Sequence, residues 1–203
     1  MRKVRLLSGL LTFALLLTMA ACTPGGTTTK ALDEGTIPLD QFQSEDGSFQ
    51  YSALPIGITK EEAAKRLGVE DLGPVIAGTG DIATYGLLDL VTYEDQKVTV
   101  QLEFQGDGLT MMQFLFSGSE PATLAPIQED LTQKLEELYG TYTRNQYDNP
   151  PYLTEVTNWD THLDGDLTRL GLISVQVEQE DGTTSSSLTL TVGKMVYANE
   201  VEE

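Results

Sequence analysis

Between two turn signals the chain alternates apolar and polar residues without a break: Val98, Val100, Leu102 and Phe104 are interleaved with Thr99, Gln101 and Glu103. Successive strand side chains point to opposite faces, so this pattern buries one face and wets the other. Glu94-Asp95-Gln96 precedes the stretch and Gly106-Asp107-Gly108 follows it, and both have the length and chemistry of hairpin turns. The apolar runs on either side, Tyr85 to Tyr93 and Leu109 to Phe116, then become its neighbours. An antiparallel meander with one apolar face needs another layer to cover that face.

Two helices supply the cover. Thr59-Lys60-Glu61-Glu62 is a capping box that opens a helix over Lys60 to Leu67, with Gly68 placed to stop it. Leu124, Ile127, Leu131, Leu135 and Leu138 recur at spacings of three and four, one face of a second helix that begins near Pro121 to Pro126 and ends at Gly140. Strands follow near Thr154 to Thr161, Leu167 to Val177 and Ser187 to Val196, divided by Asp164-Gly165-Asp166 and Asp181-Gly182-Thr183. The order predicts an α+β fold of two tandem helix-plus-three-stranded antiparallel meander units (αβββ-αβββ) over residues 49–197, with halves at about 49–118 and 119–197.

The N-terminus carries a different signal. Arg2, Lys3 and Arg5 precede an uncharged 16-residue stretch from Leu6 to Ala21, shorter than the ~20 residues of a spanning helix. This is the layout of a secretory signal peptide over residues 1–21. Met19-Ala20-Ala21-Cys22 resembles the bacterial lipobox, with Met19 where that family usually has Leu. The resemblance implies cleavage before Cys22 and a thiol carrying diacylglycerol, with palmitate-type chains, that holds a lipoprotein on the outer, extracytoplasmic face of a bacterial cell membrane. Cys22 is the chain's one cysteine, so the fold has no disulfide to lean on. Residues 22–48, opening Cys-Thr-Pro-Gly-Gly-Thr-Thr-Thr, read as a flexible tether, and 198–203 as an acidic tail.

The formal net charge is −19, and loss of residues 1–21 removes three cations and no acid, leaving −22. That sign disfavours nucleic acid as a partner and keeps the body off anionic lipid headgroups. The membrane is engaged through the lipid on Cys22 alone.

Ile56-Gly57-Ile58-Thr59-Lys60-Glu61-Glu62 with Leu67-Gly68 resembles the entry segment of small SmpA/OmlA-type and beta-lactamase-inhibitor-like lipoprotein domains. The resemblance implies binding in the cell envelope rather than catalysis, and it transfers no binding residue. No proline follows Leu67-Gly68 directly, a departure from that pattern.

Chemistry-bearing motifs are sparse. His162, the single histidine, stands among Asp160, Asp164 and Asp166, but no Gly-x-Ser-x-Gly elbow accompanies it. Read as a calcium loop, Asp160-x-His162-x-Asp164-Gly165 lacks the proper third position and has Gly171 where the bidentate Glu belongs. Gly78-Thr79-Gly80 lacks the third glycine and the lysine of a nucleotide loop. The sequence therefore predicts no catalytic residue, metal site or cofactor. The feature that stands out is aromatic: Tyr139, Tyr142, Tyr147, Tyr152 and Trp159 cluster with Arg144 and the Asn149-Pro150-Pro151 break. Such residues anchor protein or saccharide contacts, or else Tyr139 and Trp159 are core and the rest pack a loop. The expectation is a non-enzymatic, extracytoplasmic protein that binds an envelope protein or extracellular ligand, with Tyr142, Arg144, Tyr147, Tyr152 and Trp159 as the contact residues. A carboxylate-based envelope hydrolase and a ligand-free spacer are the alternatives; the first needs paired acids in one cleft, the second a buried aromatic segment.

Overall fold

The computed structural model describes residues 32, 36–94, 96–163 and 165–195; the expected signal peptide, Cys22, residues 23–31 and 33–35 of the expected tether, and the expected acidic tail lie outside them. The first helix, α1, spans Lys60–Leu67 as the capping box requires. Thr59 Oγ1 accepts from the Glu62 amide at 3.3 Å, and Gly68 ends the helix at φ 71°, a conformation only glycine adopts without strain. Four strands follow: Val75–Thr79 (β1), Ile82–Tyr93 (β2), Gln96–Gln105 (β3) and Gly108–Ser119 (β4). The second helix, α2, covers Pro121–Tyr139, and four more strands complete the chain: Thr143–Asn149 (β5), Tyr152–Leu163 (β6), Asp166–Glu178 (β7) and Thr184–Lys194 (β8).

Two tandem αβββ units are not what forms. The strands make one eight-stranded antiparallel sheet in the order β1-β2-β3-β4-β8-β7-β6-β5. Each meander gains a fourth strand at its outer edge, and the two meanders fuse through their last strands, with Met112 opposite Val192, Phe114 opposite Leu190 and Phe116 opposite Leu188. The added strands, β1 and β5, are exposed at every residue, so neither carries the alternation that marks a half-buried strand.

One face of the sheet is dry. Val98, Val100, Leu102 and Phe104 from β3, Met112, Phe114 and Phe116 from β4, Leu170 and Leu172 from β7, and Leu188, Leu190 and Val192 from β8 are all buried there. α2 lies over β8, β4 and β7 and contributes Leu124, Ile127, Leu131 and Leu135 to the core. Leu138, expected on the same helix face, is 47 % exposed because it falls past the edge of the core.

The tether is shorter than expected. Residues 36–48 pack into the core: Ile37 and Phe42 are buried, and a 3₁₀ turn covers Leu39–Gln41. The Phe42 ring meets Phe114 at 5.7 Å and Tyr51 edge-on at 6.0 Å. The Tyr139 hydroxyl ties the segment to α2, accepting from the Phe42 amide at 3.1 Å and donating to the Leu39 carbonyl. Sequence pattern misses this because single apolar residues in a polar stretch have no period.

Phe42→Ala is expected to cost about 3–5 kcal/mol of stability in urea unfolding, the range for truncating a buried aromatic. A tether position would change stability by less than about 0.5 kcal/mol.

Candidate functional site

Of the aromatic cluster, Tyr139 ends α2, Tyr142 directly precedes β5, and Tyr147, Tyr152 and Trp159 fall on the hairpin of β5 and β6, turned by Pro150-Pro151 with Asn149 opposite Tyr152 and Thr143 opposite Asn158. Strand alternation divides it between the two faces of the sheet. Trp159 pairs with Leu170 on the dry face, 3 % exposed, and its indole N–H donates to the Gly140 carbonyl at 2.8 Å. Tyr142 lies tilted against Trp159 at 5.2 Å, and the Arg144 guanidinium sits 5.2 Å over the Tyr142 ring. Arg144 also donates to Thr157 Oγ1 at 3.2 Å and pairs with Glu155 at 3.6 Å. Tyr147 and Tyr152 point the other way, opposite Thr154 and Val177, and are 56 % and 51 % exposed.

The predicted contact set is therefore two sets. Trp159, Tyr142 and Arg144 brace the hairpin against the body, while Tyr147 and Tyr152 stand on the uncovered face of the sheet. Their neighbours across β6, β7 and β8 are Thr154, Val175 and Ser187 beside Tyr147, and Val177 and Ser185 beside Tyr152. Further in, Val156, Ile173, Thr189 and Leu115 form the next row, then Asn158, Gly171, Thr191 and Gln113. This surface mixes β-branched residues with neutral amides and hydroxyls. Of its charges, Asp160 and Arg169 neutralise one another through two hydrogen bonds of 2.6 and 2.8 Å, and Glu103 stands in the same row beyond Gly193 and Met111. Thr191 and Asn158 close over Gly171, where a Cβ would stand 3.0 Å from Thr191 Oγ1 and 3.1 Å from Asn158 Oδ1. Asn158 Oδ1 is buried without a hydrogen-bond partner.

On the covered side a cleft of about 440 Å³ lies between α2 and the hairpin, lined among others by Gln128, Glu129, Glu136, Arg144 and Glu155. Within it Glu155 accepts from the Gln128 amide as well as pairing with Arg144, and Thr132 donates to the Gln128 carbonyl at 2.7 Å. Nearby, Tyr93 on β2 donates to Asp130 on α2, and Lys134 donates to both, at 2.7 Å to Asp130 and 3.0 Å to the Tyr93 hydroxyl. Burial, and then the hydrogen bond to Asp130, push the Tyr93 hydroxyl up to about 12. Burial works against the Asp130 charge, yet the hydrogen bonds from Lys134 and Tyr93 hold its carboxyl below the usual range. Lys134 is shifted upward, chiefly by its hydrogen bond to Asp130. Sequence reasoning missed this triad, although Asp130 and Lys134 stand at helical i,i+4 spacing; nothing local announces the tyrosine.

His162 is exposed on β6 opposite Leu167. Asp160, the first position of the calcium-like stretch, is held by Arg169, and Asp164 lies outside the described residues. Gly78-Thr79-Gly80 ends β1 and begins its turn into β2. Among the described residues no three His, Cys, Asp or Glu side chains are grouped to hold a metal ion. Glu103 is the carboxyl that burial raises, with Thr110 partly offsetting the effect, and its cross-strand partners are Thr84 and Met111 rather than a second acid. No family model matches the chain, and neither a curated protein nor a solved structure is significantly similar to it.

The Tyr93 geometry gives a sign to the alkaline limit of stability. A tyrosine whose folded pKa lies above its unfolded value of about 10 stabilises the fold fully below pH 10, and that contribution is lost as pH rises towards 12. Thermal melts of Tyr93→Phe are expected to lose less stability than wild type between pH 10 and 12, and to start from a lower melting temperature at pH 7.

Proposed function

We propose that this chain is a non-enzymatic lipoprotein, anchored through Cys22 on the extracytoplasmic face of a bacterial membrane, that binds another envelope protein through the open face of its sheet. The observation that carries the reading is the pair Tyr147 and Tyr152, each more than half exposed and backed by Val175 and Val177 on one surface. Tyrosine gives a large contact area at low entropic cost, and its hydroxyl satisfies a partner's polar groups. A surface poor in charge around these tyrosines also suits association by a chain whose net charge after loss of residues 1–21 is −22, because the approach brings few acids face to face. A ligand-free spacer would bury these rings, and they are exposed. A carboxylate hydrolase calls for a raised acid beside a second acid, and Glu103 has Thr84 and Met111 as its cross-strand neighbours.

A photo-reactive phenylalanine analogue placed at Tyr147 or Tyr152 in intact cells is expected to give a discrete adduct with one envelope protein, and the same probe at exposed Leu138 on α2 is not. Equal labelling from all three positions contradicts the assignment. Alanine at both tyrosines is expected to abolish capture while shifting stability by no more than about 0.5 kcal/mol each, as for surface positions.

A further inference from the structure

The two edges of the sheet differ. β1 is five residues long, contains Gly78, and its pairing with β2 shifts register between Val75 and Ala77. Such an irregularity spoils an edge as a template for another strand. β5 is seven residues long and pairs with β6 in unbroken register, and every one of its residues is exposed. α2 lies over β8, β4 and β7, so the β5 edge is not roofed by it.

The direction of the free backbone groups on β5 follows from its neighbours. The Glu178 amide on β7 donates to the Pro151 carbonyl, so odd-numbered residues at this end of β6 address β7 and even-numbered ones address β5. Tyr152, Thr154 and Val156 thus exchange hydrogen bonds with Asn149, Tyr147 and Asn145. Arg144, Gln146 and Asp148 are left with their N–H and C=O groups pointing out of the sheet.

Those three residues are symmetric in charge. If a second β5 runs antiparallel with Gln146 opposite Gln146, then Arg144 of each copy stands opposite Asp148 of the other, and Asn145 opposite Tyr147. Both ion pairs are opposite-charge cross-strand pairs, the arrangement that stabilises a ladder, and all three facing pairs are of the hydrogen-bonded type. We infer that β5 is a self-pairing edge, at which a second copy of this chain adds its own β5 about a two-fold axis through Gln146. The sheet then continues across the axis with its open face on one side, and Tyr147 and Tyr152 of both copies gather at its centre. Long-range repulsion between two acidic bodies opposes this, but charges farther apart than about 8 Å are largely screened at physiological salt, whereas Asp148 of one copy would stand directly across from Arg144 of the other, which keeps Glu155 as its neighbour in its own chain. The inference rests on the register and charge of β5 and not on what the open face binds.

Cross-linking of the full-length chain tests it. In a hydrogen-bonded antiparallel pair the facing Cα atoms are about 5.5 Å apart, within disulfide reach of roughly 4.4–6.8 Å. Gln146→Cys, treated on intact cells with a thiol oxidant, is expected to give a covalent dimer of twice the monomer mass. Asp148→Cys, whose own copy lies four residues out of register, or about 14 Å away, is expected to give less than a tenth as much. With Gln146→Cys as reporter, adding Asp148→Arg sets two cations opposite one another and lowers the yield at least fivefold, whereas the uncharged Asp148→Asn lowers it less. Thermal melts establish that each variant is folded. Equal cross-linking at both cysteines, no dimer from a folded Gln146→Cys chain, or an Asp148→Arg yield no lower than that of Asp148→Asn overturns the inference. So does an adduct of Gln146→Cys with a different protein, which would mean that a partner's strand occupies the edge.

Discussion

Everything in this fold hangs on the pairing of β4 with β8. Apart from each other, the two meanders would each present a long apolar strand as a free edge, and each would have a single helix with which to cover its dry face. Joined, they turn two edges into the centre of one sheet, and Phe114, Phe116, Leu188 and Leu190 meet in a core that α2 covers from above. The pairing is close enough to dictate composition. Gly193, at φ 151°, lies opposite Met111, and a Cβ there would stand 2.3 Å from the Thr110 carbonyl oxygen, so no other residue fits without displacing the strand. With no disulfide available among the described residues, this ladder and its core carry the stability.

The same pairing decides where function has room. Helices and the N-terminal segment 36–54 occupy one face, which leaves the other open along its whole width and pushes β1 and β5 to the margins. The hairpin β5–β6 serves both sides. Trp159, Tyr142 and Arg144 fix it to the body from beneath, and that rigidity is what lets Tyr147 and Tyr152 present themselves above at little entropic cost. A binding surface built on strands holds its geometry better than one built on loops.

Sequence pattern was informative wherever burial is one-sided. Val98 to Phe104 alternate because one side is core, and Leu124 to Leu135 recur at helical spacing for the same reason. It was silent where both sides are wet: Val75–Thr79 and Thr143–Asn149 are strands through backbone pairing alone, so three-stranded meanders were expected where four-stranded ones form. Pairing between distant strands is also invisible, since nothing in Met112 or Val192 names the other, and the two-unit fold was wrong for that reason. Of the expected contact residues, a cluster in sequence became two opposite faces because neighbouring strand residues point apart. Tyr142, expected among the contact residues, packs against Trp159 beneath the Arg144 guanidinium.

The open face is proposed to be covered by a partner in the cell and free in isolation. Tyrosine-selective surface labelling, read residue by residue on intact cells and on the detergent-purified chain, measures this directly. Tyr147 and Tyr152 should react readily in the purified chain and be protected severalfold on cells, while partly exposed Tyr85, on the covered side, changes little between the two. Equal reactivity of Tyr147 and Tyr152 in both settings would contradict the account, because it would leave the open face without an occupant where the protein works.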